Sequence, residues 1–200
     1  MRADLEIISE WIQPGTRVLD LGCGDGTLLE HLSNSRDVTG YGLEIDDDNI
    51  IRCIERGVQV IKTDLDAGLA DFFDEDSFDY VVMTQTLQAV RYPADLLDDM
   101  LRVGREGIVT FPNIGHWQSR LHLGLSGRMP ITRALPSEWY DTANIHLCSL
   151  RDFEGLCRQR KIEILQRTVV DYAHRTSWGA RLLPNLLGEI ALYRFCRRRN

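Results

Sequence analysis

No C-x-x-C pair occurs in this chain. Its five cysteines, Cys23, Cys53, Cys148, Cys157 and Cys196, are odd in number and scattered. Metal-ligand spacing is therefore absent, and the set suits reduced thiols in a cytosol. No apolar run approaches the ~18 residues that a membrane-spanning helix needs. The opening MRADLEIISEWI carries acids inside its apolar pattern and has no signal-peptide core. Internal repeats and low-complexity linkers are missing as well. Positive charge is in deficit: 23 Lys and Arg against 30 Asp and Glu give a net charge of −7. The acids cluster from Glu44 to Asp48 and from Asp64 to Asp79. Phosphate binding needs a net basic face, so nucleic acid is excluded as the main partner. The basic residues Arg194, Arg197, Arg198 and Arg199 read as a solvated end. The expectations are no membrane, no metal, no nucleic acid and a cytoplasmic location.

What is present is an alternation. Two hundred residues suit one domain, spanning 1–200, with a core large enough to stand without disulfides. Strand-like and helix-like segments alternate, which predicts an α/β fold with a mostly parallel sheet flanked by helices. Helices are expected at Leu5 to Ile12, from Asp25 or Thr27 to Leu32, at Asp46 to Arg56, Pro93 to Leu101 and Leu150 to Arg160. Strands are expected at Arg17 to Leu21, Val38 to Leu43, Val58 to Ile61, Phe78 to Met83 and Gly107 to Phe111. Ile162 to Val170 and Ala191 to Phe195 read as an antiparallel pair closing the sheet. Tyr172 to Leu187 reads as loop. The stretch from Pro112 to Leu147 is too long for a plain connection. It reads as an insertion or lid over the carboxyl edge of the sheet.

The densest signal is VLDLGCGDGTLLEHL, Val18 to Leu32. Gly22, Gly24 and Gly26 follow a strand and precede a helix. Glycine there permits a tight turn and close approach of a ligand, and the helix N-terminus adds free N–H groups. The spacing is G-x-G-x-G, with Thr27 where a dinucleotide-binding loop has its third glycine, and no Gly-Lys-Ser/Thr follows. An NAD-dependent oxidoreductase is thus disfavoured. Asp20 would repel a pyrophosphate and attract an ammonium or a sulfonium. Glu44, in YGLEID, ends the second strand, where a carboxylate accepts from a ribose diol; the other reading is a solvated strand end. Asp64, in KTDLD, is placed to accept from an adenine amino group; its other reading is a solvated acid. Ile45 and Leu65 would sandwich the base, and Gln85 joins the set from the end of strand four. Asp46, Asp47 and Asp48 read as helix-start residues favoured by the dipole.

A reacting base is harder to find. Strand four ends in Thr84-Gln85-Thr86-Leu87-Gln88, groups that hydrogen-bond but accept protons poorly. His116, in FPNIGHW, is the nearest titratable candidate for catalysis. Its other reading is a structural hydrogen-bonding residue.

The carboxylates and glycines, in this order, resemble the class I S-adenosylmethionine-dependent methyltransferase fold. VLDLGCGDG is similar to its first motif; GLEID, TDLD and SFDYVVMTQTLQAV follow its next three more loosely. The resemblance implies a Rossmann-like, mostly parallel seven-stranded sheet with an antiparallel last strand. It also implies S-adenosylmethionine or S-adenosylhomocysteine as ligand. Many small-molecule methyltransferases of this fold carry a histidine where Gln88 stands. Together with VTFPNIGHWQSRLHL, GRMPITRALPSEWYDTANIHLCSLRDFEGLC and NLLGEIALYRF, the motifs resemble the methionine biosynthesis protein MetW family over nearly the whole chain. That resemblance implies partnership with MetX, the homoserine O-acyltransferase, as a companion or activating subunit. Trp117, Trp139 and Tyr140 in the insertion are then candidates for the partner surface, because aromatics are enriched at interfaces. A small-molecule methyltransferase is the alternative function.

Overall fold

The computed structural model describes residues 3–70, 72–133, 135–171 and 178–198. In chain order the elements are α1 (Ala3–Trp11), β1 (Arg17–Leu21), α2 (Thr27–Arg36), β2 (Thr39–Glu44), α3 (Asp47–Glu55), β3 (Val60–Lys62), β4 (Phe78–Thr84), α4 (Pro93–Val103) and β5 (Gly104–Pro112). They continue with α5 (Trp117–Ser126), α6 (Leu150–Gln159), β6 (Ile162–Val170), α7 (Trp178–Leu182), α8 (Pro184–Leu187) and β7 (Ile190–Arg197). A single 3-10 turn, Leu65–Ala67, follows β3.

Apolar side chains alternate along the central strands and cover both faces of the sheet. Val18, Tyr80, Val82, Ile108 and Leu192 pack with Ile8 of α1, Ile12 just after it, and Leu28 and Leu32 of α2. Leu19, Leu21, Val81, Met83, Val109 and Phe111 pack with Leu97 and Met100 of α4 and Phe153 of α6. A strand buried on both faces reads as a near-continuous apolar run, which is why β1 and β4 are plain in the sequence. Asp20 on β1 and Thr110 on β5 are buried polar exceptions; Asp20 shares the face of Val18 by the two-residue period of a strand.

The seven strands lie in the order β3-β2-β1-β4-β5-β7-β6. Pairing is parallel from β3 through β5 and antiparallel for β5–β7 and β7–β6. The chain builds outward from β1 to β3, then returns to set β4 on the other side of β1. Connections leaving the carboxyl ends of β1 and β4 therefore diverge and open a crevice there, the usual ligand position in a sheet of this kind. The antiparallel closing pair stands as expected. β6 matches its expected limits, and β7 extends beyond the expected Ala191 to Phe195 at both ends.

Two expectations are corrected. The segment read as loop, Tyr172 to Leu187, contains α7 and α8; its first part, 172–177, lies outside the described residues. Helices of five and four residues are too short to show a 3.6-residue period. Arg194 is not part of a solvated end. It lies in β7, paired with Glu106, with its guanidinium carbon 5.7 Å from the Tyr80 ring centroid. Arg197 and Arg198 are exposed as expected, and Arg199 lies outside the described residues.

Between β5 and α6 the chain forms α5 and an irregular stretch. The buried residue of α5 is Ser119, whereas Trp117, Leu121, Leu123 and Leu125 are exposed. No helix among the described residues is long and apolar enough to cross a membrane.

The start of α6 is fixed by a capping box. Ser149 Oγ accepts from Asp152 N–H at 3.4 Å, and the Asp152 carboxylate accepts from Ser149 N–H at 2.9 Å. These bonds hold the Asp152 carboxyl below its usual range. Ser149→Ala removes a helix N-cap and is expected to cost about 1 kcal/mol, measured by urea denaturation.

Candidate functional site

The glycine loop closes the carboxyl end of β1. Gly22, Gly24 and Gly26 all have left-handed backbone, with φ of 69°, 55° and 78°, a conformation that costs side-chain-bearing residues roughly 1–2 kcal/mol. Gly22 is further constrained by space: a Cβ there would come within 2.7 Å of Thr86 Oγ1. Gly26 is the N-cap of α2 and supplies no side-chain cap, so the first turn keeps N–H groups available to a ligand. Asp25 accepts from Thr27 N–H and Oγ–H at 3.2 and 2.7 Å and pairs with Arg56 at 2.9 Å. Burial alone raises its carboxyl, but Thr27 and Arg56 hold it below the usual carboxylate range. Beneath the loop, Cys53 Sγ–H donates to Gly24 O at 3.2 Å, and the Cys23 and Cys53 sulfurs are 3.8 Å apart. Burial pushes both thiols up. They remain protonated and act as small apolar packing with weak donor capacity.

Glu44 ends β2 beside the loop and is only 8% exposed. Its Oε2 accepts from Gly24 N–H at 2.8 Å. Its Oε1 accepts from Ile45 N–H and Asp46 N–H at 2.8 and 3.0 Å. This is not a solvated strand end. A carboxylate offers about four acceptor positions; three are taken, so one on Oε2 remains for a ligand hydroxyl. Asp46, for its part, accepts from Asn49 N–H at 3.0 Å and caps α3, the helix-start role expected from its position.

Asp20 is 1% exposed on β1, opposite Gly42 of β2 and Val82 of β4. It stands two residues before Gly22, where β1 runs into the glycine loop. Asp64 is exposed and accepts from Asp66 N–H at 3.0 Å, starting the 3-10 turn after β3. Ile45 is 59% exposed beside Glu44, and Leu65 is half-buried against the core. The ends of β1, β2 and β3 thus carry Asp20, Glu44 and Asp64 along the carboxyl edge.

The segment after β4 forms the other wall. Gln85 has φ 53° and is held there by donation from its N–H to Thr110 O at 2.9 Å. Non-glycine residues in this region gather at functional sites. Gln88 is 7% exposed. Its Nε2 donates to Gln85 O at 2.6 Å, and its Oε1 is buried without a hydrogen bond. Such an unmet acceptor costs about 1–3 kcal/mol. The backbone carbonyl of Gln88 accepts from both Ile145 N–H and His146 N–H, at 2.9 and 3.0 Å. Sequence reading had treated Gln88 as the place where a base is missing; its structural role as a tie to the insertion was not seen, because no local pattern announces a contact 57 residues away.

His116 is 6% exposed and lies at the end of β5. Its N–H donates to Asn113 O at 3.2 Å, and its ring centroid is 5.9 Å from that of Trp117. Burial lowers its imidazole pKa, partly opposed by Glu189. It belongs to a group around Asn113, whose Nδ2 donates to Gly188 O at 2.8 Å and Asn185 O at 3.2 Å. That polar seam, which joins β5 to β7, also escaped the sequence reading. Trp139 and Tyr140 are each 72% exposed, with ring centroids 5.6 Å apart edge to face.

A cavity of about 660 Å³ lies at the opposite, amino edge of the sheet, lined by Asp98, Asp99, Arg102, Gly104, Arg105 and Arg197 among others. Its acids and arginines pair with one another or with near neighbours. It shares no residue with the carboxyl-edge site.

Solved structures share this fold. The chain is similar to an S-adenosylmethionine-dependent methyltransferase from Mesorhizobium loti (TM-score 0.69, 16% identity, 98% of each chain). It is also similar to phosphoethanolamine N-methyltransferase 2 of Haemonchus contortus, solved with S-adenosyl-L-methionine (TM-score 0.70, 13% identity, 98% of this chain and 52% of that one). The fold is the Rossmann-like α/β fold of class I methyltransferases. In sequence, residues 2–195 match the family described as methionine biosynthesis protein MetW. A bifunctional methionine biosynthesis protein MetXA/MetW of Rhodopirellula baltica is 35% identical over 98% of this chain. The match spans 33% of that relative's length. The chain belongs to the MetW family of methionine biosynthesis proteins.

Two outcomes test this geometry. Glu44→Gln sets an amide NH2 against backbone N–H groups and is expected to destabilise the fold by about 2 kcal/mol, read from the thermal midpoint and its conversion to free energy. The depressed imidazole of His116 makes stability full above the ordinary value of 6.5 and lost as pH falls through the lower folded value. The fall in stability from pH 7 to pH 5 is expected to be shallower in His116→Gln than in the parent chain, by urea denaturation at each pH.

Proposed function

We propose that this chain holds S-adenosylmethionine, or S-adenosylhomocysteine, in the crevice after β1 and serves as companion and activator of the homoserine O-acyltransferase MetX. The observation that carries the partnership is the likeness to a bifunctional MetXA/MetW protein, in which a MetW-like third is joined to a further part in one chain.

The residues present suit the ligand. The first turn of α2 offers N–H groups to a carboxylate. Asp20, two residues before Gly22, supplies negative charge toward an ammonium or sulfonium. Glu44 retains one acceptor position on Oε2 for a ribose hydroxyl. Asp64, exposed at the end of β3, stands ready for an adenine amino group, with Ile45 and Leu65 as apolar flanks and Gln85 closing the wall. When bound, S-adenosylmethionine supplies a sulfonium methyl open to in-line attack.

The chain's own residues favour binding over methyl transfer. Thr84, Gln85, Thr86 and Gln88, at the end of β4, carry no group that takes a proton near neutrality. His116 is buried in the Asn113 group. The methyltransferase reading keeps one support, the full set of ligand carboxylates, because a base is dispensable for an acceptor that is already nucleophilic.

The insertion at 112–147 is the proposed partner surface. Trp117, Trp139 and Tyr140 stand exposed there, and large aromatics at an interface centre typically contribute about 2 kcal/mol or more each. S-adenosylmethionine is made from methionine, so a subunit that binds it would report output to an early enzyme of the route. Such reporting requires unequal affinity for the free and assembled states.

The test is the acyltransferase rate of purified MetX with and without this chain, each with and without S-adenosylmethionine. An increased rate is expected, and Trp139→Ala and Trp117→Ala are each expected to weaken pull-down of MetX about 30-fold. An unchanged rate, with calorimetric binding of S-adenosylmethionine and transfer of its labelled methyl to a cell-extract fraction, would establish the methyltransferase reading instead.

A further inference from the structure

The segment from Gln85 to Arg91 touches three separate parts of the protein. Toward the glycine loop, Thr86 packs against Gly22 with no space for a methyl group between them. Toward the β3 end, Arg91 N–H donates to Asp66 Oδ1 at 2.8 Å, and Asp66 N–H in turn donates to Asp64 Oδ1 at 3.0 Å. Toward the insertion, Gln88 O accepts from Ile145 N–H and His146 N–H, and His146 Nε2 meets Arg91 O at 3.2 Å. Two routes therefore leave the adenosyl crevice: one by packing of Thr86 on Gly22 and along the chain to Gln88, whose Nε2 holds Gln85 O, the other by hydrogen bonds from Asp64 through Asp66 to Arg91. Both end at His146, six residues beyond Tyr140.

We propose that Gln88 couples occupancy of the adenosyl crevice to the conformation of the insertion that carries Trp139 and Tyr140. The proposal rests on the reading that the crevice binds an adenosyl ligand. It adds the route by which that ligand acts on the partner surface.

The local structure is suited to two arrangements. The amide orientation of Gln88 is fixed by chemistry: Gln85 O can only accept, so the group facing it is the NH2. Oε1 is then the atom left buried without a hydrogen bond. Gln85 itself holds a left-handed backbone with a side chain attached. An unmet acceptor beside a strained residue gives the segment an incentive to rearrange when a ligand brings a new donor or moves Thr86. Any such rearrangement shifts Gln88 O, and with it the two amides of the insertion. Coupling follows only from differential affinity for the two arrangements, so the ligand must change the latch and not merely occupy the crevice.

Hydrogen exchange of Ile145 and His146 reads the latch directly, because both amides donate to Gln88 O. The full chain is compared with and without saturating S-adenosylhomocysteine, with ligand binding followed in parallel by calorimetry. The expected result is that S-adenosylhomocysteine binds and slows exchange of these amides about tenfold. In Gln88→Ala the ligand is expected to bind within about threefold of the parent while the exchange response disappears. His146 is exposed, so His146→Ala leaves the fold intact even if the buried substitution does not. It cuts the Arg91 route and is expected to reduce the response at Ile145 at least about threefold. Binding with no change in exchange in the parent chain overturns the coupling and leaves the ligand reading standing. A response in both variants equal to that of the parent overturns the assignment to Gln88 and His146. Absence of binding refutes the ligand reading, and the coupling with it.

Discussion

Three backbone N–H groups converge on one carboxylate, and the geometry of the carboxyl edge depends on it. Glu44 ties Gly24 of the loop to Ile45 and Asp46 of its own strand end. The loop it holds has three left-handed glycines, and its own side chains Cys23 and Asp25 turn to Cys53, Thr27 and Arg56 and not to Gly24 N–H. Without the carboxylate, Gly24 N–H would lose its side-chain acceptor. The same anchoring delivers Asp46 to the start of α3, where it caps the helix. One buried charge thus fixes the turn after β1, the end of β2 and the next helix.

The division of labour in the molecule follows the sheet. The parallel half, β3-β2-β1-β4, carries Asp20, Glu44 and Asp64 at its carboxyl ends, where topology opens a crevice. The antiparallel half is held by a different chemistry. Phe111, Phe153 and Tyr193 form a ring cluster with centroids 4.7 to 5.9 Å apart. The Asn113 side chain joins Gly115 N–H to the carbonyls of Asn185 and Gly188 at α8. The insertion arises from β5, between the halves, and is latched back to the parallel half through Gln88. The plan sets three carboxylates on one side, exposed aromatics on the other, and a short segment touching both.

Much of this was legible in the sequence where burial is two-sided and periodic. β1 and β6 were read to the residue, and α3, α4 and α6 to within two residues at each end, because apolar periodicity and Pro or Asp start signals agree there. The glycine loop was legible because left-handed backbone demands glycine. Glu44 was read as a carboxylate at the end of the second strand, turned to a ribose or to solvent, but its saturation by backbone N–H groups was not seen, since hydrogen bonds to backbone leave no trace in residue identity. The same holds for Asn113 and Gln88, whose partners lie 57 to 75 residues away. Arg194 was misread from its basic neighbours; its partner Glu106 is set by antiparallel register between β5 and β7, which one-dimensional charge counting does not contain.

The position of β7 bears on how the chain is made. It lies between β5 and β6 in the sheet yet follows both in sequence. A ribosome adding roughly 5–20 residues per second finishes β5 at Pro112 and reaches Arg197 on the order of ten seconds later. During that interval the nascent parallel half has its crevice strands paired, while β5 offers Ile108, Val109, Thr110 and Phe111 as a bare apolar edge. Edges of this kind pair with whatever strand is at hand. The half that holds Asp20, Glu44 and Asp64 is therefore complete early in synthesis, and the protein is most vulnerable to mispairing at the seam that β7 closes.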